Sequence, residues 1–139
     1  VACHAGPLPA YQHQSSQLNH GFALWDDDLT IADLAAQPKR HGGLAFLSAC
    51  QTASPNAGHR DEALHLAGAM QFLGYSHVVA TMWSIADRPA PQAAGTFYET
   101  LAKRGPDHAA HALRSAVLKL RDEDPTNPFI WAPYVHIGR

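Results

Sequence analysis

Short apolar runs and a helical pattern alternate along the second two thirds of the chain. Residues 44–49 (LAFLSA) and 77–83 (HVVATMW) are apolar runs of the length expected for strands buried on both faces. Between Asp61 and Gly74 the apolar residues recur at helical spacing, at Ala63, Leu66, Ala67, Met70 and Leu73. The order strand, helix, strand predicts two parallel strands joined by a helix.

The remaining pattern predicts two more helices and a last strand. Pro89 and Pro91 introduce one helical segment, which ends at Gly105, and Asp107 introduces the next. This second segment has the clearest apolar stripe in the chain, formed by Ala109, Ala112, Leu113, Ala116, Val117 and Leu120. Residues 134–138 (YVHIG) predict a short final strand. Together these elements predict an α/β fold in which helices cover both faces of a mainly parallel sheet.

Residues 7–43 show no sustained periodicity. Prolines and a polar Gln, His, Ser and Asn stretch predict a mobile loop in this region. A small helix is expected to begin at Thr30, where Asp33 three residues later resembles a capping box.

Composition indicates a single domain and argues against some classes of binding partner. Of 139 residues, 46% are hydrophobic and 16% are charged, against roughly 25% charged in an average soluble domain. The formal charge of −2 gives no basic field for nucleic acid or for an anionic membrane surface. With no apolar run of about 20 residues and no leader-like segment, we expect a cytoplasmic domain.

The first residues predict that the chain is part of a longer polypeptide. It begins with an apolar Val-Ala-Cys and without methionine, so we expect N-terminal strands of the sheet to be missing. An open sheet edge would pair with that missing segment or with another copy of the chain.

Cys50 and His4 are the candidates for chemistry. Each ends an apolar run, and the carboxyl ends of parallel strands are where open α/β sheets place reacting groups. A thiol beside an imidazole makes a nucleophile and its base. Spacing alone leaves open the alternative that Cys50 is a small buried hydrophobic residue and His4 a structural histidine. Cys3 is expected to face away from His4, because successive strand residues point to opposite faces.

Seven blocks of sequence, spread in order along the whole chain, resemble the signature blocks of CHAT domains. They are residues 1–6 (VACHAG), 47–53 (LSACQTA), 61–67 (DEALHLA), 78–87 (VVATMWSIAD), 97–98 (FY), 112–116 (ALRSA) and 131–138 (WAPYVHIG). The chain is therefore identified as a member of this family of caspase-like modules, here in its C-terminal portion.

The resemblance implies a fold and an activity. It implies a caspase-like three-layer sandwich over residues 1–139 and a cysteine endopeptidase that hydrolyses proteins or peptides through a thioester acyl-enzyme. Cys50 matches the nucleophile of the family and His4 matches its base, and backbone N–H groups of Ala5, Gly6 and Cys50 would hold the oxyanion. The preceding part of the polypeptide would carry tetratricopeptide repeats.

Two positions depart from the family pattern. Ala5 stands where the family commonly has glycine, and Ser84 stands where proline commonly follows the tryptophan. Together with the fact that a fold does not by itself establish an activity, these departures keep open a second hypothesis, a catalytically silent interaction module.

Three further residues are candidates for substrate binding. Asp61 and Asp87 follow strand ends, where a carboxylate could receive a basic substrate side chain, although helix capping is the common role of such residues. Trp83 resembles the aromatic residue that flanks the substrate in this clan, although it could equally belong to the core.

We expect no metal and no cofactor. His108 and His111 lie three residues apart, but no third ligand follows at useful spacing. The acidic run Asp26, Asp27 and Asp28 lacks the glycine turn and the further oxygen ligands of a calcium loop.

Overall fold

Six strands and five α-helices are present in the part of the chain that the computed structural model describes, residues 4–7, 20–23, 28–36, 43–47, 62–83, 85 and 88–139. The strands are β1 (His4–Pro7), β2 (His20–Ala23), β3 (Asp28–Thr30), β4 (Leu44–Leu47), β5 (His77–Thr81) and β6 (Tyr134–Gly138). The helices are α1 (Ile31–Ala36), α2 (Glu62–Phe72), α3 (Pro89–Arg104), α4 (Ala109–Glu123) and α5 (Pro128–Trp131), with a 3-10 turn at Pro106–His108.

The strands form two three-stranded sheets. In the main sheet, β5 lies between β4 and β6; it is parallel to β4 and antiparallel to β6. The predicted unit of strand, helix and strand is therefore confirmed as β4, α2 and β5. The main sheet is mixed rather than mainly parallel, because the final strand returns beside β5 in the opposite direction.

Helices cover both faces of the main sheet. Val79 of β5 and Phe46 of β4 pack with α3 and α4, while Val78 of β5 and Ala45 of β4 pack with α2. We call these the α3/α4 face and the α2 face. The alternation follows from strand geometry, in which successive side chains point to opposite sides. The chain is thus a mixed α/β domain, as the sequence pattern predicts.

The apolar stripes of the two long helices explain the α3/α4 face. The predicted stripe of α4 is buried as expected, at Ala109, Ala112, Leu113, Ala116 and Leu120. In α3 the buried residues include Ala93 and Phe97, whereas Tyr98 is half exposed. Phe97 lies at the centre of an aromatic cluster, with ring centroids 4.9 Å from Phe46 and 5.2 Å from Tyr98. Among the described residues, no helix is both long enough and apolar enough to cross a membrane.

The small sheet and α1 occupy the segment for which the sequence predicts only a loop and a short helix. Strands β1, β2 and β3 form an antiparallel sheet in that order. Phe22 of β2 is buried in the cluster of the α2 face, and Leu29, Ile31 and Leu34 pack against it. The loop prediction therefore misses β2 and β3, which are too short to show a period.

The capping box of α1 is confirmed. The backbone N–H of Thr30 donates to Oδ2 of Asp33 (3.0 Å), and the backbone N–H of Asp33 donates to Oγ1 of Thr30 (3.0 Å). The Thr30 hydroxyl also donates to Oδ2 of Asp33, at 2.6 Å. These hydrogen bonds, first the hydroxyl and then the backbone N–H, hold the pKa of Asp33 below its usual value.

Replacing Phe97 by alanine tests the aromatic cluster. Phe97 is fully buried, so Phe97→Ala is expected to lower the free energy of unfolding by about 3–5 kcal/mol in urea titrations. Phe72→Ala is the matched control, because Phe72 is 82% exposed and its loss should change stability by no more than about 0.5 kcal/mol. Equal losses in the two variants would contradict the assigned core.

The capping box predicts a pH dependence of stability. Because folding lowers the pKa of Asp33, its carboxylate stabilises the native state at neutral pH, and this contribution is lost as the pH falls below about 4. Urea unfolding of Asp33→Asn should show lower stability at neutral pH and a weaker dependence on acid. Glu99→Gln, at an exposed position of α3, should leave that dependence unchanged. An Asp33→Asn variant with the same acid dependence as the parent chain would exclude this role for the carboxylate.

Candidate functional site

His4 is the first residue of β1, and Ala5 and Gly6 follow it in the same strand. His4 pairs with Ala23, Ala5 with Phe22 and Gly6 with Gly21. The expectation that His4 ends its strand is therefore corrected: residues 4–7 find an antiparallel partner in β2, and the strand continues beyond the histidine.

Ala5 and Gly6 lie on the edge strand of the small sheet. In an antiparallel ladder, successive residues direct their N–H groups alternately toward the partner strand and away from it. Since β1 has its described partner on one side only, one of these two N–H groups points away from β2. Among the described residues, no strand pairs with β1 on that side.

The carboxyl end of β4 leads toward the other predicted catalytic residue. Leu47, the last residue of β4, pairs with Ala80 of β5, and Cys50 follows Leu47 by three residues. Cys50 itself lies outside the described residues, as do Asp61 and Asp87. The distance between His4 and Cys50 and the substrate contacts of the two aspartates stay predictions.

Trp83 lies just beyond the carboxyl end of β5, where α5 holds it in place. Its indole N–H donates to the backbone carbonyl of Phe129 (3.0 Å), and the two rings meet edge to face with centroids 6.1 Å apart. Trp83 is half-buried, while Phe129 is 72% exposed. The two aromatic rings therefore form a partly exposed apolar surface next to the end of β5, and the sequence pattern did not point to Phe129.

The carboxyl end of β5 is also joined to the beginning of β6. The backbone N–H of Met82 donates to the carbonyl of Pro133 (2.9 Å). The next pair inward, Thr81 and Tyr134, is consequently a non-hydrogen-bonded pair, the type in which opposing side chains lie closest.

Three buried polar groups near this end of the sheet have no hydrogen-bond partner within the described ranges. They are the hydroxyl of Thr81, the hydroxyl of Tyr134 and the indole N–H of Trp131. Burial raises the pKa of Tyr134 to about 12, so the phenol is neutral at physiological pH and keeps its proton. No sequence pattern predicts this group of polar atoms, because it depends on the pairing of β5 with β6.

The residues considered for metal binding are not brought together into a three-ligand site. Within the described segments, no group of three or more His, Cys, Asp or Glu side chains has the arrangement needed to hold a metal ion. His108 and His111 are both exposed, at and just after the start of α4.

Comparison with known protein families identifies the family to which this chain belongs. The CHAT domain family matches it from residue 1 to residue 139. The chain belongs to the CHAT domain family. A search of curated proteins found no match. Membership of the CHAT family makes the chain a member of a caspase-like peptidase family.

The fold of this CHAT domain brings three of its signature blocks together. Leu47, in the block at 47–53, pairs with Ala80, in the block at 78–87. Ala80 in turn pairs with Val135, in the block at 131–138. Blocks that are far apart in sequence therefore meet at one edge of the main sheet, the edge at which β4 and β5 end.

The hydroxyl of Tyr134, which has no hydrogen-bond partner among the described residues, gives a testable expectation for this CHAT domain. Removing a buried hydroxyl that has no partner relieves its desolvation cost, so Tyr134→Phe should leave the free energy of unfolding unchanged or raise it slightly. Tyr134→Ala, which also removes the buried ring, should lower it by about 3–5 kcal/mol. The measurement is urea unfolding of the two variants and the parent chain. A loss above about 1 kcal/mol in Tyr134→Phe would show that the hydroxyl has a hydrogen-bond partner after all.

Proposed function

We propose that this CHAT domain is a cysteine endopeptidase in which Cys50 is the nucleophile and His4 is the base. The observation that carries the proposal is the convergence of the three signature blocks at the carboxyl edge of β4 and β5, with Cys50 three residues beyond Leu47. Reacting groups of α/β sheets are commonly located at this edge.

The proposed reaction begins with transfer of the Cys50 proton to the imidazole of His4. The thiolate attacks the carbonyl carbon of a peptide bond in a protein or peptide substrate. The imidazolium then gives its proton to the departing amine, leaving a thioester between the substrate acyl group and Cys50. A water molecule, deprotonated by His4, hydrolyses the thioester and restores the free thiol.

Backbone N–H groups are the proposed stabilisers of the oxyanion. The candidates are Ala5 or Gly6, of which one directs its N–H away from β2, and Cys50 itself. Fixed donors of this kind are commonly worth about 10²–10³-fold in the rate of acyl transfer. Alanine in place of glycine at position 5 keeps the N–H and restricts only the backbone angles.

Substrate recognition is proposed to combine charge and apolar contact. Asp61 and Asp87 are the candidate carboxylates for a basic side chain before the scissile bond. The half-buried Trp83, held against the exposed Phe129, supplies an apolar surface beyond the end of β5 for a neighbouring substrate residue.

A caspase-like three-layer sandwich is the fold proposed for the complete domain. Its support is the coverage of both faces of the main sheet, by α2 on one side and by α3 and α4 on the other. Pairing of an open sheet edge with the rest of the polypeptide or with a second copy also remains a proposal.

The second candidate is a silent interaction module with the same fold. The observation that favours it is the departure from the family pattern at Ala5 and Ser84, next to the proposed base and the proposed substrate surface. Such a module would keep the fold and bind protein partners without hydrolysing them.

Substitution of the two cysteines distinguishes these functions. With a peptide-based thiol-reactive probe and a library of peptide substrates, Cys50→Ala is expected to abolish labelling and hydrolysis. His4→Ala should reduce hydrolysis by about 10²–10⁴-fold, the usual contribution of a general base.

Cys3→Ala is the matched control and should retain labelling and hydrolysis, because Cys3 is adjacent to His4 in sequence but has no role in the proposed reaction. Labelling lost in Cys3→Ala and kept in Cys50→Ala would overturn the residue assignment. A folded chain that hydrolyses none of the peptides, with or without Cys50, would favour the interaction module.

A further inference from the structure

Two histidines meet at the end of β5 that lies away from the proposed catalytic edge. His77 is the first residue of β5, and His136 is the third residue of β6. His77 pairs with Gly138 and His136 pairs with Val79, so the two histidines are diagonal neighbours on adjacent strands. Along β5, His77 and Thr81 are separated by about 13 Å of strand.

The two rings point a nitrogen at each other. Nδ1 of His77 lies 3.2 Å from Nε2 of His136, the ring centroids are 5.4 Å apart and the ring planes differ by 30°. In the absence of another ligand, one N–H donates to the lone pair of the other ring. One proton therefore lies between the two nitrogens. When the donating ring adopts its other neutral tautomer, both nitrogens direct lone pairs at the same small volume.

The two histidines lie on the α3/α4 face of the main sheet, on the same side as Val79. His77 is only 4% exposed, and the pKa of His136 is lowered, first by burial and second by the nearby His77. The core cluster on this face, which includes Val79, is made of apolar residues and Tyr134.

The separation of the two nitrogens suits one metal ion. Zinc binds histidine nitrogens at about 2.0–2.1 Å, so two ligands at a tetrahedral angle lie about 3.3–3.4 Å apart. The observed 3.2 Å is close to this value, and a turn of each ring by roughly 35° would aim both lone pairs at a common ion.

Gly138 keeps one approach to Nδ1 of His77 free of a side chain. A Cβ at position 138 would lie 3.2 Å from that nitrogen and would clash with the backbone oxygen of Ser76. The glycine also has φ of +152°, which other residues rarely adopt. Because Gly138 is exposed and His136 is half-buried, solvent reaches this region of the pair.

We propose that His77 and His136 form a binding site for one divalent transition-metal ion of the zinc, nickel or copper class. On binding of the ion, the proton of the donating ring moves to the other nitrogen of that ring, so each histidine stays a neutral imidazole and offers one lone pair. Water molecules complete the coordination of the ion. Two imidazole ligands select these borderline-soft ions over magnesium or calcium, which prefer oxygen. By coordinating one histidine from each strand, the ion would crosslink β6 to β5.

The test uses Zn²⁺ and the nitrogen signals of the histidine rings in NMR. The chain carries Cys3→Ala and Cys50→Ala, so that no thiolate competes for the ion. On addition of Zn²⁺, Nδ1 of His77 and Nε2 of His136 are expected to shift together, and the Tm should rise with zinc concentration because the native state binds the ion.

Two variants in which histidine is replaced by asparagine complete the test. His136→Asn should weaken zinc binding by about tenfold or more, which is at least the usual cost of losing a supporting residue of a metal site. The double variant His108→Asn and His111→Asn removes two exposed histidines of α4 and should leave the rise in Tm intact. The NMR titration needs no substitution at the pair, so it decides the question even if His136→Asn does not fold.

Either of two results would overturn the proposal. One is that zinc leaves the signals of His77 and His136 unchanged. The other is that the rise in Tm disappears in the double variant at His108 and His111, which would indicate ordinary surface binding. Since the test is made without Cys50, its outcome is independent of the proposed peptidase activity.

Discussion

The burial of β5 is the constraint on which the rest of the structure depends. All of its residues, from His77 to Thr81, are buried, and it lies between β4 and β6. A strand removed from water needs backbone partners on both sides and apolar cover on both faces. Strands β4 and β6 provide the partners, and α2, α3 and α4 provide the cover. The edge where β4 and β5 end, and the residues that follow it, take their positions from this arrangement.

Elements that depend on local pattern are the ones that the sequence predicts well. The stripe of α4 repeats over four turns, the apolar run of β5 is bounded by polar residues, and the Thr30–Asp33 capping box needs only residues three apart. Strands β2 and β3 have four and three residues, too few for a period to appear. The direction of β6 also escapes prediction, because side-chain alternation is the same in a parallel and an antiparallel strand.

The candidate site also contains residues that the sequence identifies and residues that it does not. His4, Cys50 and Trp83 stand out through their sequence blocks, but the pattern around Trp83 does not choose between a core and a surface position. In the structure Trp83 lies between these two cases. Its indole N–H donates to the carbonyl of Phe129, and its ring is half-buried. Phe129 could not be identified beforehand, because a four-residue helix shows no amphipathic pattern. The contact between His77 and His136 joins residues 59 apart, and only the register of β5 and β6 creates it.

The buried polar side chains at the two ends of β5 differ in their hydrogen bonding. At the amino end, His77 hydrogen-bonds to His136, so its burial is compensated. At the carboxyl end, Thr81 and Tyr134 bury hydroxyls that have no partner among the described residues, at a cost of about 1–3 kcal/mol for each such group. Valine and phenylalanine would fill the same space without that cost. The carboxyl end thus holds the buried hydroxyls that have no partner among the described residues, and it is also the end beside which the signature blocks converge. Departures from optimal packing are expected where a protein acts on other molecules, so these buried hydroxyls agree with the location proposed for the functional site.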